Sequence, residues 1–166
     1  MEGNGELVYN VNFAEMNDLE GIAELYTEWR KFKGILPDIM AEPETAQDLM
    51  SYFNGSNKAR RYIVAKREGV VIGVCYADVT YLGFSSVRLG DMIVSEPFRR
   101  KGVGTALVKK LTAFVASNDV KKIWLWTQEE LEPALNFYKK LGFAMEGRQK
   151  KQFCNKDALL FGMVLN

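Results

Sequence analysis

Leu7, Tyr9, Val11 and Phe13 alternate with Val8, Asn10 and Asn12, the two-residue period of a half-buried strand over residues 7–13. Asn17 followed three residues later by Glu20 predicts a helix N-cap. The helix it opens carries Leu19, Ile22, Ala23, Tyr26 and Trp29 at helical spacing, with Gly34 as its stop. Pro43 and Glu44 open a second helix that points Ala46, Leu49, Met50 and Phe53 inward and ends at Gly55. A hairpin follows, with strands at residues 62–66 and 70–81 joined by Glu68-Gly69. A turn at 83–86 leads to a strand at 87–94. The helix at 103–117 places Val103, Leu107, Leu111, Phe114 and Val115 on one face. The strand at 122–127 sets Trp124 and Trp126 against Ile123 and Leu125 on its other side. A helix at 131–141 stops at Gly142, and strands near 143–147 and 158–165 complete the chain. The order β-α-α-β-β-β-α-β-α-β-β predicts an α/β domain, one mixed sheet with helices on both faces. Neither repeat nor linker interrupts it, so residues 1–166 read as a single domain in which residues 1–6 are expected to be loose.

Charge narrows the functional classes. The 166 residues hold 22 basic and 21 acidic side chains, a net charge of +1 that gives no general footprint for nucleic acid or an anionic membrane. No apolar run approaches the ~20 residues of a membrane helix, and the polar start is unlike a signal peptide, so a cytoplasmic protein is expected. Histidine is absent. That excludes Ser-His-Asp and Cys-His couples and His-ligated zinc, and no metal site is expected. Cys75 and Cys154 form no CxxC pair and read as reduced thiols. Proton transfer near neutral pH then falls to carboxylates, Tyr, Lys, Cys or water.

The candidate chemistry gathers between residues 91 and 106. A strand runs into Arg99, Arg100, Lys101, Gly102 and Gly104, and a helix begins at once. Helix starts leave unpaired N–H groups and partial positive charge, which receive phosphate well. Glycines allow close approach of a ligand, and three adjacent cations add charge. The string is not a Walker loop, which needs GxxxxGK[ST], and it lacks the third glycine of the dinucleotide fingerprint GxGxxG.

Val94-x-x-x-x-Arg99-x-x-Gly102-x-Gly104 resembles the acyl-CoA-binding motif of the GCN5-related N-acetyltransferases, the GNAT superfamily. Ala134-Leu-Asn-Phe-Tyr138-Lys-Lys-Leu-Gly142-Phe143 is similar to the second signature of that family, and the element order matches its fold from Leu7 to Leu165. The resemblance implies acetyl-CoA as co-substrate and direct transfer of its acetyl group to a primary amine within a ternary complex. It implies that the backbone of Met92, Ile93 and Val94 pairs with the pantetheine arm. The loop Arg100, Lys101, Gly102, Val103, Gly104 and Thr105 would then wrap the pyrophosphate, with Arg99 at the Gln/Arg position of the motif. The strands at 87–94 and 122–127 are expected to splay and to seat the thioester in the gap. Tyr138 matches the frequent general acid of the family, and Asp91, on the strand that often carries the base, is the candidate base. Two departures stand out: Gly90 where relatives often have Glu, and Leu131 where many have Asn.

A lysine-like amine costs about 4.6 kcal/mol to neutralise at pH 7, an α-amine about 1 kcal/mol, at 1.36 kcal/mol per pKa unit. The need for a base therefore depends on the acceptor. Asp78, Glu28 and Glu129 are alternative bases, and Tyr26, Glu28, Trp29, Tyr81, Trp126 and Phe153 are candidate lining of an acceptor cleft. The acceptor itself is open: a small amine such as a polyamine or amino sugar, a lysine side chain, or a protein N-terminus. Gly90 and Leu131 keep a second reading in view, an acyl-CoA-binding module without acceptor chemistry. A third, a nucleotide-binding or interaction domain, predicts ATP or NAD binding at least as tight as CoA binding. The helix at 103–117 and the final strand pair are a candidate homodimer surface.

Overall fold

A computed structural model describes residues 7–33, 46–56, 58–79, 85–153 and 155–165. Its strands are β1 (Asn10–Phe13), β2 (Arg60–Arg67), β3 (Val70–Asp78), β4 (Ser86–Val94), β5 (Lys122–Gln128), β6 (Ala144–Phe153) and β7 (Lys156–Val164). Its helices are α1 (Leu19–Lys33), α2 (Ala46–Phe53), α3 (Val103–Ala116) and α4 (Glu132–Lys140). The expected element order is the observed one. The described strands form one mixed sheet in the order β1-β2-β3-β4-β5-β7-β6, and among them only β4 and β5 pair in parallel, with α3 making the crossover between them.

The sheet is buried on both faces because its central strands are apolar at successive positions. Ile63, Ala65, Cys75, Ala77, Leu89, Ile123, Leu125 and Phe161 pack with Val103, Leu107 and Leu111 of α3 and with Tyr138 of α4. On the opposite face Tyr62, Val64, Val74, Tyr76 and Ile93 pack with Ile22, Leu25 and Tyr26 of α1 and Leu49 of α2. Burying one such Leu or Ile contributes roughly 1.5–3 kcal/mol, so these two clusters hold the helices on the sheet.

Several boundaries differ from the periodicity. β1 starts at Asn10, because residues 7–9 have no ladder partner. Helix α1 is preceded by a 3-10 turn at Met16–Asp18, and the capping acid is Asp18, not the Asn17/Glu20 pair. Asp18 Oδ2 accepts the Glu15 N–H at 2.9 Å and its Oδ1 takes the Lys66 ammonium at 2.9 Å. Met50 faces outward at 45% exposure, and on α3 Val108 fills the core while Phe114 is half-buried. β6 runs well past residue 147, because its polar stretch is tied to β7 by Arg148–Asp157 and by Lys151 N–H to Asp157. Gly34, Pro43, Glu44, Tyr81, Gly83 and Cys154 lie outside the described residues, as does the side chain of Ala46.

Candidate active site

The parallel ladder of β4 and β5 covers three register pairs: Ser86 with Lys122, Val87 with Ile123 and Arg88 with Trp124. Beyond them β4 stays paired to β3 as far as Val94, and β5 to β7 as far as Gln128. The two facing edges therefore diverge, and their backbone N–H and C=O groups border a slot that opens toward the start of α3. Extended ligands add to such an edge by strand-like hydrogen bonding. The expected splay is present at the expected strands.

A β-bulge lies on the β4 side of this slot. Cys75 pairs with Met92 but Ala77 pairs with Leu89, so Tyr76 alone stands opposite both Gly90 and Asp91. A Cβ at position 90 would lie 2.0 Å from the Tyr76 ring. Gly90 is thus where the ring passes over the strand, which is the physical reason for the departure at this position. The Tyr76 ring is buried, its hydroxyl accepts a hydrogen bond from Arg88 Nη2 at 3.2 Å, and burial followed by the charge of Asp91 pushes its pKa up.

Asp91, set off by the bulge, is half-buried, and Oδ2 receives the Tyr26 hydroxyl from α1 at 3.4 Å. Tyr138 reaches the same region from α4 on the other side of the sheet. Its ring packs edge-on against Phe137 and Phe143, with centroids at 5.3 and 5.7 Å. Burial holds its hydroxyl proton far more tightly than in water, with smaller contributions in the same direction from Cys75 and Asp91. Cys75, wholly buried, has its thiol pushed up to about 12 by desolvation. The fold therefore gathers Tyr26, Tyr76, Tyr138 and Cys75 in the buried region around Asp91.

The other three acids are committed elsewhere. Glu28 accepts the Ser95 hydroxyl at 3.0 Å and the Glu96 N–H at 3.1 Å, which fastens α1 to the end of β4. Asp78 pairs with Arg88 at 3.2 Å, and Glu129 with Arg148. Among the aromatic candidates, Tyr26 touches Asp91, Trp126 lies under Arg88 with its ring 5.2 Å from the guanidinium, and Trp29 packs against the second core. Phe153 is the last residue of β6, and its side chain, like Tyr81, lies outside the described residues.

At the far end of the slot the chain turns twice through left-handed backbone, at Arg100 (φ 58°) and Gly102 (φ 83°). The first helical hydrogen bond of α3 is Ala106 N–H to Gly102 C=O at 3.0 Å. The N–H groups of Val103, Gly104 and Thr105 precede it and are available to an anion. Arg99 Nε donates to the Val94 carbonyl at 2.9 Å, tying the loop to the strand end. Arg100 and Lys101 are exposed, whereas the side chains of Ile93 and Val103 are buried in the two cores, so these two face a ligand through backbone alone. A Cβ on Gly104 would meet Phe137 at 3.2 Å and Met92 Sδ at 3.8 Å, so this glycine lets the start of α3 pack closely against α4 and β4. Leu131 is the N-cap of α4 with no side-chain cap bond, so the helix start lacks the polar side chain expected of relatives. Among the described residues no group of three His, Cys, Asp or Glu side chains is arranged to hold a metal ion.

Sequence reading did not single out Tyr76 or Arg88. Neither lies in a motif, and their relation to Asp91 depends on cross-strand register. Comparison with known proteins agrees with the geometry. Residues 21–143 match the model of the acetyltransferase (GNAT) family. The chain is 27% identical over 169 residues to an N-alpha-acetyltransferase of Sulfolobus acidocaldarius, covering 95% of this chain and 93% of the relative. It is 33% identical over 87 residues to N-alpha-acetyltransferase 30 of Xenopus laevis, which is 52% of this chain and 32% of the longer relative. The crystal structure of ribosomal-protein-S5-alanine acetyltransferase from Vibrio fischeri superposes with a TM-score of 0.79 at 18% identity, over 94% of this chain and 92% of that one. With the splayed strands, the glycine-turned helix start and the family match in agreement, the chain belongs to the GNAT family of acetyltransferases, which move the acetyl group of acetyl-CoA onto an amine.

Proposed function

We propose that this chain acetylates a primary amine held beside the β4 bulge, with Asp91 and Tyr138 on opposite sides of the reacting thioester. The observation that carries the reading is the slot itself: two parallel strands that part after Arg88 and Trp124 and lead into a helix start with open N–H groups. The backbone of Met92, Ile93 and Val94 offers the strand edge for the pantetheine arm. Arg100, Lys101 and the N–H groups of Gly102, Val103, Gly104 and Thr105 receive the pyrophosphate, while Arg99 braces the loop through Val94.

The acceptor nitrogen attacks the thioester carbonyl carbon, the C–S bond breaks, and one proton passes from the nitrogen to the departing sulfur. Asp91 attracts the incoming ammonium and receives its proton, helped by Tyr26, which fixes the carboxylate. Tyr138 donates a hydrogen bond to the sulfur as negative charge develops there. Because burial raises its pKa, full transfer from Tyr138 lies further uphill than the ~2 kcal/mol that reference values give for tyrosine and a thiol. Its contribution is therefore the hydrogen bond. An α-amine, about 1 kcal/mol from neutrality at pH 7, suits this weakly basic arrangement better than a lysine side chain, and the named N-alpha-acetyltransferase relatives support that choice.

Calorimetry with acetyl-CoA, CoA, ATP and NAD tests the site. The native chain should bind acetyl-CoA selectively. Gly104→Glu should abolish binding, while Gly104→Ala, which adds bulk without charge, should weaken it less. Equal preference for ATP, or binding unaffected by Gly104→Glu, would overturn the assignment.

A further inference from the structure

The register carries one row of side chains across four strands on the α1/α2 face. Arg60 pairs with Asp78, Asp78 with Arg88, and Arg88 with Trp124. Two guanidiniums thus flank one carboxylate. The next row along the strands holds Tyr62, Tyr76, the Gly90–Asp91 bulge and Trp126. Arg88 sits where the rows meet the slot, at the last position where β4 and β5 are paired.

Arg88 is held from several sides. Nη2 donates to the Tyr76 hydroxyl and to Asp78 Oδ2, both at 3.2 Å, and the guanidinium lies over the rings of Trp126 at 5.2 Å and Tyr76 at 5.6 Å. Arg60 lies over the opposite side of the same row, 4.4 Å from the Tyr76 centroid. Among the described residues Arg88 Nε and Nη1 donate to no protein acceptor, and neither is a buried unsatisfied atom. A guanidinium immobilised by aromatic faces, with donors left open, is a preorganised anion receptor. Asp91 lies three residues further along the same bulged strand, within the ~10 Å that three extended residues span.

Resting on the acetyltransfer reading, we propose that Arg88 binds an anionic group of the acceptor while Asp91 takes its amine, so that the substrate class is free amino acids carrying an α-amine and a carboxylate. A polyamine would place positive charge on the Arg60–Arg88 row, and a protein N-terminus would bring a neutral amide where the carboxylate should sit.

The test follows CoA thiol release with L-glutamate, L-phenylalanine, their α-amides and spermidine as acceptors, on the native chain, Arg88→Gln and Arg88→Lys. Each free acid should exceed its own amide at least 10-fold in kcat/KM. Arg88→Gln should bring that ratio near 1, mainly through KM for the acids, and Arg88→Lys should retain an intermediate ratio. Acetyl-CoA affinity and melting temperature report whether each variant is folded. Amides or spermidine favoured by the native chain, or no acid accelerating thiol release while acetyl-CoA binds, would overturn the substrate class alone. Failure of the native chain to bind acetyl-CoA would overturn the acetyltransfer site beneath it.

Discussion

Tyr138 shows how far one residue's role can be read before its surroundings are known. Its place in the Ala-x-x-x-Tyr-x-x-x-Gly-Phe segment marks it as a donor to the leaving sulfur, and at reference pKa values full proton transfer to a thiolate is already uphill by ~2 kcal/mol. The fold changes the balance by sealing the ring between α4 and the sheet, so the hydroxyl proton is held across the whole neutral range. Tyr138→Phe should therefore lower kcat about 10-fold or more with acetyl-CoA affinity unchanged. The native kcat should show no loss assignable to tyrosine ionisation up to about pH 10, below which the group remains protonated. A turnover equal to that of the native chain in Tyr138→Phe would remove this residue from the chemistry.

Elements are where sequence and structure part company. Helical and strand periodicities located the four α-helices and seven strands of the described residues, because buried side chains must repeat at the period of the backbone that carries them. The β4 bulge left no such trace. It consists of one residue, Tyr76, facing two, and it appears only when β3 is laid beside β4. From the sequence Gly90 looked like a missing carboxylate; beside β3 it is the space through which a neighbouring ring passes. Gly90→Ala should consequently destabilise the chain by roughly 1–3 kcal/mol, the usual range for overpacking, because its Cβ would overlap an aromatic ring held by two arginines. Urea unfolding measures this directly. A change below about 0.5 kcal/mol would mean that Tyr76 swings away at no cost. The extent of β6 was illegible for a different reason, since Glu146 to Lys151 shows no apolar alternation and is held by ladder bonds and ion pairs to β7.

At the scale of the whole molecule, two buried acids of very high pKa set an alkaline limit on stability. Cys75 keeps its proton in the folded chain up to about pH 12 but loses it near 9 when unfolded. Its contribution is thus complete below pH 9 and declines as the pH rises toward 12, by about 1.36 kcal/mol per unit. Tyr138 acts in the same direction above pH 10. Between pH 8 and pH 10.5 the Cys75 share of the loss should be about 2 kcal/mol. Chemical denaturation of the native chain and Cys75→Ala at both values isolates it: the variant starts less stable but should lose about 2 kcal/mol less across the interval. Equal losses in both proteins would show that Cys75 titrates normally in the folded state.

By itself the sequence determined the order of elements, the two-faced sheet, the glycine-rich turn before α3 and the family signature around Tyr138. Each of these is written in local spacing: apolar periods, glycines where the backbone turns left-handed, and a helix start where N–H groups are left open. Only the tertiary structure set Asp91 at the β4 bulge and gave Glu28, Asp78 and Glu129 their partners on other elements. It alone brought Arg60, Asp78 and Arg88 into one row, because cross-strand register depends on how strands pair and bulge and on no single segment's composition.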